Sequence, residues 1–222
     1  MREIRTVKRI EGDRDFWSWL GGYIDTGGGI RTTKNKSFIL LKCETEGLVS
    51  RIIERVGKGT KRKDNVGFHY YLGRKQELLS LFKKISKTLR THFGLARVNL
   101  AVELQRGYAG AESEAEGFNK YSWLGGVLDR GGKIEKYGDR VCGLVITAKG
   151  RKGETIRIVE RFFPGLGEEG LVYGSNGSFN VLKIGGEREL SMVLDIWMKN
   201  TMYSDEEIQE RCFFEEKEFW QR

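Results

Sequence analysis

Apolar and polar residues follow two different periods along this chain, and the two periods occur in the same order twice. Alternation at every second residue is typical of half-buried β-strands. In the first half it predicts two hairpins, formed by residues 30–34 with 38–44 and by 59–63 with 68–72. Apolar residues at helical spacing predict helices over 48–56, 76–89 and 96–104.

The second half repeats this order of elements. Alternating segments predict two further hairpins, formed by residues 133–137 with 141–147 and by 171–173 with 178–184. Helical spacing covers 154–163, 187–198 and 205–219. The first of these helices ends before Pro164 and Gly165, because neither residue favours continuation of a helix.

The clearest sign of duplication is a fourteen-residue segment that occurs at 17–30 and again, 104 residues later, at 121–134. The two copies read WSWLGGYIDTGGGI and YSWLGGVLDRGGKI and are identical at nine positions. Between the halves, residues 109–117 are small and acidic and have no apolar period, which is typical of a solvated linker. The sequence therefore predicts an N-terminal domain over 1–108 and a C-terminal domain over 118–222.

Each predicted domain has the element order α-β-β-α-β-β-α, which places the chain in the α+β class. Four antiparallel strands per domain would form one sheet with helices on one face. The other face would remain open for a partner. The two domains would form a pseudo-twofold pair within a single chain.

Composition excludes several classes of protein. The three cysteines are odd in number and far apart, which excludes a disulfide scaffold. Two histidines are too few for a histidine-rich zinc site, so any metal would be a hard cation bound by oxygen. No apolar segment approaches the roughly 18 residues of a membrane span, and the first residues carry no apolar signal region. We therefore expect a cytoplasmic protein with no membrane partner.

The net charge of +8 arises from 39 Lys and Arg against 31 Asp and Glu. The acids of the second half concentrate in the linker and in the tail from 205 to 218, so the body of both predicted domains is basic. A basic surface favours a polyanionic partner such as nucleic acid. No phosphate-binding loop, nucleophile elbow or dinucleotide fingerprint is present, which disfavours a metabolic enzyme.

Two adjacent glycines lie within the predicted helix of each repeat copy, Gly21 and Gly22 in the first and Gly125 and Gly126 in the second. Glycine within a helix costs about 1 kcal/mol relative to alanine, so four of them require a compensating contact. We expect the two repeat helices to pack closely, with each glycine admitting the backbone of the partner helix.

The segments LGGYIDTGG at 20–28 and LGGVLDRGG at 124–132 resemble the two motifs of a single-chain LAGLIDADG homing endonuclease of the intron-encoded type. The spacing of the motifs, the linker and the element order fit that family over nearly the whole chain. The resemblance implies motif helices packed at the domain interface and two sheets lying as a saddle along the major groove of double-stranded DNA. It also implies a monomer that binds a long, nearly asymmetric target site and cleaves it with Mg²⁺ or another divalent cation.

One feature of the family's motif is missing from both copies. The family binds its metal ions with the last acid of each motif, helped by nearby backbone carbonyls, which correspond here to those of Thr26 and Arg130. In this chain the two acid positions are glycine, Gly27 and Gly131. We therefore expect weakened or lost metal binding and a form that binds DNA without cleaving it.

The earlier acid of each motif is present, as Asp25 and Asp129, and the resemblance gives it a structural role at the helix end. Using these acids as metal ligands would need a shift in register, which we do not expect. Natural loss seldom removes only two symmetry-related acids while sparing the rest of the motif. Deliberate replacement of both acids in an active nuclease explains that pattern with fewer assumptions, and the sequence favours it.

Family members also place a lysine on the second strand of a domain, near the reacting phosphate. Lys149 corresponds to that residue in the second half, and Lys42 is the candidate counterpart in the first; an ordinary phosphate contact explains both equally well. Strand alternation under the same resemblance indicates a set of DNA-contacting residues. They are Arg31, Thr33, Lys42, Lys61, Lys63, His69 and Tyr71 in the first half, and Lys133, Glu135, Tyr137, Arg140, Lys149, Lys152, Tyr173, Asn176, Asn180 and Lys183 in the second.

An alternative function is a non-cleaving nucleic-acid binder on the same fold, such as an intron RNA maturase. That alternative predicts a preference for structured RNA. The endonuclease hypothesis instead predicts tight binding to one DNA site with a steep salt dependence.

Overall fold

The two halves of the chain contain the same elements in the same order. The computed structural model describes residues 10, 12–33, 36–65, 67–106, 118–137, 140–148, 153–174 and 177–212. The first half contains α1 (Asp13–Gly27), β1 (Ile30–Thr32), β2 (Ser37–Cys43), α2 (Glu46–Val56), β3 (Thr60–Asp64), β4 (Gly67–Leu72), α3 (Lys75–Ile85) and α4 (His92–Arg106). The second half contains α5 (Lys120–Gly131), β5 (Gly132–Tyr137), β6 (Arg140–Ala148), α6 (Glu154–Phe162), β7 (Glu168–Gly174), β8 (Gly177–Ile184), α7 (Glu187–Lys199) and α8 (Asp205–Cys212).

Each half forms one four-stranded antiparallel sheet. The strand order is β1-β2-β4-β3 in the first sheet and β5-β6-β8-β7 in the second. In both sheets the later strands of the two hairpins pair with each other at the centre, and the earlier strands form the edges. The shared order confirms the predicted α+β class and the duplicated architecture.

The structure differs from the predicted elements mainly at the end of each half. The predicted helix over 76–89 ends as α3 at Ile85, and a turn follows it. A second closing helix completes each half, as the helical spacing at 96–104 and 205–219 predicted, and α-β-β-α-β-β-α therefore counts one helix too few per half. The linker 109–117 and the predicted helical residues after Cys212 lie outside the described residues, and the domain boundaries stay a prediction.

Side-chain caps and glycines explain where several helices begin and end. The hydroxyl of Thr45 accepts a hydrogen bond from the backbone N–H of Leu48 and caps the start of α2. The side chain of Asn119 accepts from two backbone N–H groups at the start of α5. Helix α2 ends at Gly57, which has a φ of 73° and adopts the left-handed conformation that glycine tolerates best.

One continuous apolar core joins the two halves, with α1 and α5 at its centre. Trp19 and Trp123 are completely buried on these helices. The inner face of the first sheet contributes Leu41 and Tyr70 to the same core, and Leu182 belongs to the corresponding face of the second sheet. Among the residues that the structure describes, no helix is long and apolar enough to cross a membrane.

Candidate nucleic-acid interface and interdomain seam

Helices α1 and α5 contact each other along a seam. This contact depends on one glycine from each helix. A Cβ atom on Gly22 would lie 1.9 Å from the carbonyl oxygen of Trp123, and a Cβ on Gly126 would lie 1.9 Å from that of Trp19. No side chain fits at such a distance, so the two backbones approach each other only because both positions are glycine. The prediction of close helix packing is confirmed for these two residues.

The other glycine of each pair has a different neighbour, and the prediction that it admits the partner helix is wrong. A Cβ on Gly21 would lie 2.7 Å from the hydroxyl oxygen of Thr88, in the turn that follows α3. A Cβ on Gly125 would lie 2.0 Å from the carbonyl oxygen of Asn200, which follows α7. Adjacent residues on a helix point about 100° apart, so only one glycine of each pair faces the seam.

The two motif acids make equivalent hydrogen bonds that link the halves of the chain. Trp19 Nε1 donates to Asp129 Oδ2 at 2.8 Å, and Trp123 Nε1 donates to Asp25 Oδ2 at 3.0 Å. Each hydrogen bond runs from one half of the chain to the other. The two bonds form a reciprocal pair across the seam.

Each of these carboxylates also accepts hydrogen bonds from its own half. Asp25 accepts from the backbone N–H of Arg90 at 2.8 Å and from the hydroxyl of Thr91 at 2.5 Å. Burial raises the pKa of Asp25 to about 6, although these donors oppose the shift. The occupied oxygens support the structural role expected for this acid.

Asp129 is surrounded in a similar way. Its oxygens accept from the indole N–H of Trp197 at 2.6 Å, the hydroxyl of Thr201 at 2.7 Å and the backbone N–H of Met202 at 2.9 Å. With the bond from Trp19, four donors surround this buried carboxylate. Neither motif acid therefore presents a free oxygen for a metal ion in the seam.

The ends of α1 and α5 show what replaces the missing acids. A Cβ on Gly27 would lie 2.1 Å from Nε of Arg130, so the arginine side chain fills that space. A Cβ on Gly131 would lie 2.2 Å from the carbonyl oxygen of Thr147 and 2.7 Å from Cγ2 of Thr26. Gly27 thus packs against Arg130, which precedes Gly131, and Gly131 packs against Thr26, which precedes Gly27.

The residues at the seam do not fit the Mg²⁺ site that the resemblance implies. Gly27 and Gly131 supply no side-chain oxygen, and the carbonyls of Thr26 and Arg130 carry no full negative charge. The guanidinium of Arg130 beside Gly27 would repel a divalent cation. Within the described ranges, no group of three or more His, Cys, Asp or Glu residues could hold a metal ion.

The first sheet presents a basic row on its outer face, the face opposite the helices. The strand register pairs Lys42 with His69 and His69 with Arg62, so these three residues lie side by side. The guanidinium carbon of Arg62 lies 3.4 Å from the ring centroid of Tyr71, which belongs to the same face. Arg31 is exposed on β1, opposite Phe38.

Two of the predicted residues on this face are less available than expected. His69 is only 8% exposed, and its Nδ1 lies 3.6 Å from Oδ2 of Asp64. Thr33 is exposed, but its N–H and hydroxyl both donate to the carbonyl of Lys36 and close the turn after β1. Lys42 has an exposed side chain, and its carbonyl accepts from the hydroxyl of Tyr23 at 2.6 Å.

Lys61 and Lys63 were expected on the outer face, and the register shows that this is wrong. Lys61 pairs with Tyr70, whose side chain is in the core, and its ammonium forms an ion pair with Glu46 of α2. Lys63 lies over the ring of Phe68, with Nζ 5.2 Å from the centroid. Strand β3 reads TKRKD and is exposed throughout, so its sequence carries no alternation from which the faces could be read.

Arg62 is the functional candidate that the sequence did not identify. It lies between Lys61 and Lys63 in β3, and strand alternation places it on the opposite face from both. The signal that would have found it is the register with β4, because Arg62 pairs with His69. That register is set by the burial of Tyr70, a residue of β4 that the core encloses.

The second sheet has a shorter basic row on its outer face. Lys133 pairs with Val145, and Val145 pairs with Lys183, so the two exposed lysines flank one valine. Glu135 is also exposed and lies opposite Gly143. This face therefore carries both signs of charge, unlike the first sheet's row.

Asn180 was expected on this outer face, and the structure places it on the other one. It pairs with Ala148, which is buried in the core, and its Oδ1 lies 2.9 Å from where a Cβ on Gly153 would stand. Asn180 and Lys183 are three residues apart, and residues an odd number apart on a strand point to opposite faces. Only Lys183 can therefore belong to the outer face.

The remaining predicted contacts fall in two groups. Tyr137, Arg140 and Tyr173 lie on β5, β6 and β7, and a register shift between Glu135 and Lys136 precedes the first of them. Lys149, Lys152 and Asn176 lie outside the described residues. The lysine expected near the reacting phosphate of the second half thus stays a prediction.

The architecture matches solved structures of known proteins. A two-lysine mutant of the meganuclease I-SmaMI superposes with a TM-score of 0.55 at 15% sequence identity, covering 85% of each chain. The LAGLIDADG meganuclease I-AabMI, bound to uncleaved DNA, gives a TM-score of 0.55 at 13% identity and covers 86% of each chain. Full-length WhiA from Thermatoga maritima gives a TM-score of 0.51 at 13% identity, and the match spans 85% of this chain and 56% of that one.

No family model and no curated protein matches the chain in sequence. At identities of 13 to 15%, the structural likeness establishes the fold. It agrees with the repeated motif, the paired helices at the seam and the two antiparallel sheets. This chain is therefore a LAGLIDADG-fold protein that carries both motif helices in one polypeptide.

Proposed function

We propose that this protein binds one long site in double-stranded DNA through the outer faces of its two sheets, and that it does not cleave that DNA. One observation carries the proposal. The last position of each motif helix is a glycine without a carboxylate, and the space beside Gly27 is filled by Arg130, while both outer faces keep exposed basic side chains. Binding and cleavage are thus separated in this chain.

Exposed basic side chains on the outer faces support binding in the major groove. A pair of β-strands fits the major groove, where each base pair presents a distinct pattern of donors and acceptors. Lys42 and Arg62 lie in one cross-strand row in the first half, and Lys133 and Lys183 flank Val145 in the second. Because the two faces differ in their side chains, the proposed target site is asymmetric.

The seam explains why cleavage is not expected. Two-metal hydrolysis of a phosphodiester needs ligands that hold the ions in place, and the two glycines supply none. The packing also favours a chain adapted to glycine over two isolated replacements, because a Cβ on Gly131 would lie 2.2 Å from the backbone oxygen of Thr147. A backbone carbonyl cannot move aside as a flexible side chain does.

A single chain already supplies both halves of the pseudo-twofold arrangement. The seam buries the apolar faces of α1 and α5 within the monomer. We therefore propose that the protein acts as a monomer, and that one molecule covers the whole target. Light scattering of the free protein and of its DNA complex measures this stoichiometry.

The decisive experiment selects bound sequences from a random double-stranded library and then titrates the winning site. We expect one preferred site, an affinity that falls steeply with salt, and intact DNA after incubation with Mg²⁺ or Mn²⁺. Double-strand cleavage under these conditions would contradict the proposal. A structured RNA that outcompetes the selected DNA would instead support the RNA-binding alternative.

A further inference from the structure

Arg130 occupies the space in which the first motif would otherwise place a metal-binding carboxylate. A Cβ on Gly27 would lie 2.1 Å from Nε and 2.9 Å from Cδ of this arginine. The guanidinium carbon lies 5.9 Å from the ring centroid of Tyr23, another α1 residue. Because Arg130 itself belongs to α5, its side chain crosses the seam from the second half to the first.

The guanidinium of Arg130 has no acidic partner within the described part of the chain. Its Nε is buried and has no hydrogen-bond acceptor among the residues that the structure describes. Partial negative charge at the C-terminal ends of helices favours a cation, and both α1 and α5 end here. Arg130 as a whole is only half-buried, and the helix ends do not replace the hydrogen bonds that a guanidinium normally makes. An anion from outside the protein would supply them.

The equivalent position in the first half offers no second cation. Thr26 corresponds to Arg130 in the repeat, and its hydroxyl donates to the carbonyl of Gly22 at 2.8 Å. The first half thus contributes a neutral side chain whose donor is already used. Of these two equivalent positions, only the one in the second half supplies a cation.

We propose that Arg130 binds a backbone phosphate at the centre of the DNA site, at the position where the fold's metal ions would otherwise lie. This inference rests on the proposed function. A guanidinium stays charged at physiological pH and donates several N–H groups to phosphate oxygens in a fixed geometry. It neutralises phosphate charge without a divalent cation, so central contact with DNA survives the loss of both metal-binding acids.

The first test compares Arg130→Gln with Arg130→Lys and with Arg188→Gln, which changes an exposed arginine on α7. Each protein is titrated with the selected DNA site at several salt concentrations in the presence of EDTA. Loss of one phosphate contact reduces the slope of log K against log salt by about 0.9. We expect this reduction, with roughly tenfold weaker binding, for Arg130→Gln, while the other two variants keep the wild-type slope.

A second test uses the unaltered protein, so it does not depend on whether a variant folds. Uncharged methylphosphonates replace single phosphates at the central steps of the selected site. We expect one central replacement to weaken wild-type binding about as much as Arg130→Gln does, and to weaken binding by folded Arg130→Gln no further.

The outcomes separate the two proposals. If wild-type protein binds its site but tolerates every central methylphosphonate, or if folded Arg130→Gln keeps the full salt slope, the assignment of Arg130 is wrong and the proposed function stands. If wild-type protein binds no double-stranded site, both proposals are wrong.

Discussion

The ends of the two motif helices carry the same glycine but have different surroundings. Gly27 faces the side chain of Arg130, whereas Gly131 faces the backbone carbonyl of Thr147. After Gly27 the chain passes through Gly28, which has a φ of 67°, before β1 begins at Ile30. After Gly131 it enters β5 directly, at a residue with an extended conformation.

This difference shows that the two symmetry-related positions are not equivalent in what they tolerate. A long side chain such as that of Arg130 can adopt another rotamer when a neighbour grows. A strand carbonyl is fixed by its ladder and cannot. The same substitution is therefore expected to have unequal effects in the two halves.

The largest expected effect is on stability, in the pair Gly131→Ala and Gly27→Ala. We expect Gly131→Ala to lower the free energy of unfolding by about 3 kcal/mol, because the new methyl group would overlap the backbone oxygen of Thr147. Gly27→Ala should cost less than about 1 kcal/mol, since Arg130 can move and alanine favours the helix. Urea titrations of both variants measure the difference, and equal losses would show that the two ends are alike.

The next effect concerns DNA binding by neighbouring residues on the two faces of β3. We expect Arg62→Ala to weaken binding to the selected site roughly tenfold, because Arg62 lies in the outer row with Lys42. Lys61→Ala is the matched control, since Lys61 pairs with Glu46 on the helix side. Fluorescence anisotropy at fixed salt compares them, and a stronger effect of Lys61→Ala would mean that the faces are assigned the wrong way round.

A smaller effect follows from the raised pKa of Asp25, which is about 6. The folded state holds this proton more tightly than the unfolded state does, so the resulting stabilisation is present at low pH and is lost as pH rises through 6. Between pH 5 and pH 7 the loss is about 1 kcal/mol.

The measurement compares urea unfolding of the wild type and of Asp25→Asn at these two pH values. Asparagine does not titrate, so the variant should lack this share of the pH dependence, whatever its absolute stability. Identical pH profiles for the two proteins would show that the pKa of Asp25 is not raised.

The smallest expected change is produced by Gly27→Asp. The new carboxylate would lie beside the guanidinium of Arg130 and pair with it, so we expect stability within about 1 kcal/mol of wild type. Combined with Gly131→Asp, it should give no cleavage of the selected DNA with Mg²⁺. Cleavage by the double variant would contradict this expectation and would favour deliberate replacement of two acids in an active nuclease.

Local patterns in the sequence were sufficient for the elements and their duplication. Apolar spacing identified both hairpins of each half, and the repeated segment placed α1 and α5 in equivalent positions. The same segments identified Gly22 and Gly126 as seam residues, and their resemblance to the motifs of a known family implied a structural role for Asp25 and Asp129. The elements and the repeat follow from short-range periodicity and from identity between the two copies, whereas the role of the two acids came from the resemblance alone.

Contacts between distant segments explain what local patterns did not reveal. The exposed strand TKRKD shows no preference for either face, so pairing of β3 with β4 was needed to separate Arg62 from Lys61 and Lys63. Gly21 and Gly125 face the turns at Thr88 and Asn200, whereas Gly22 and Gly126 face the partner helix. Nothing in the repeated segment distinguishes the two glycines of a pair. The place of Arg130 beside Gly27 likewise depends on how α1 and α5 cross, since 103 positions separate the two residues in the chain. The motif thus predicted that two acids were absent, and long-range packing determined that an arginine took the place of one of them.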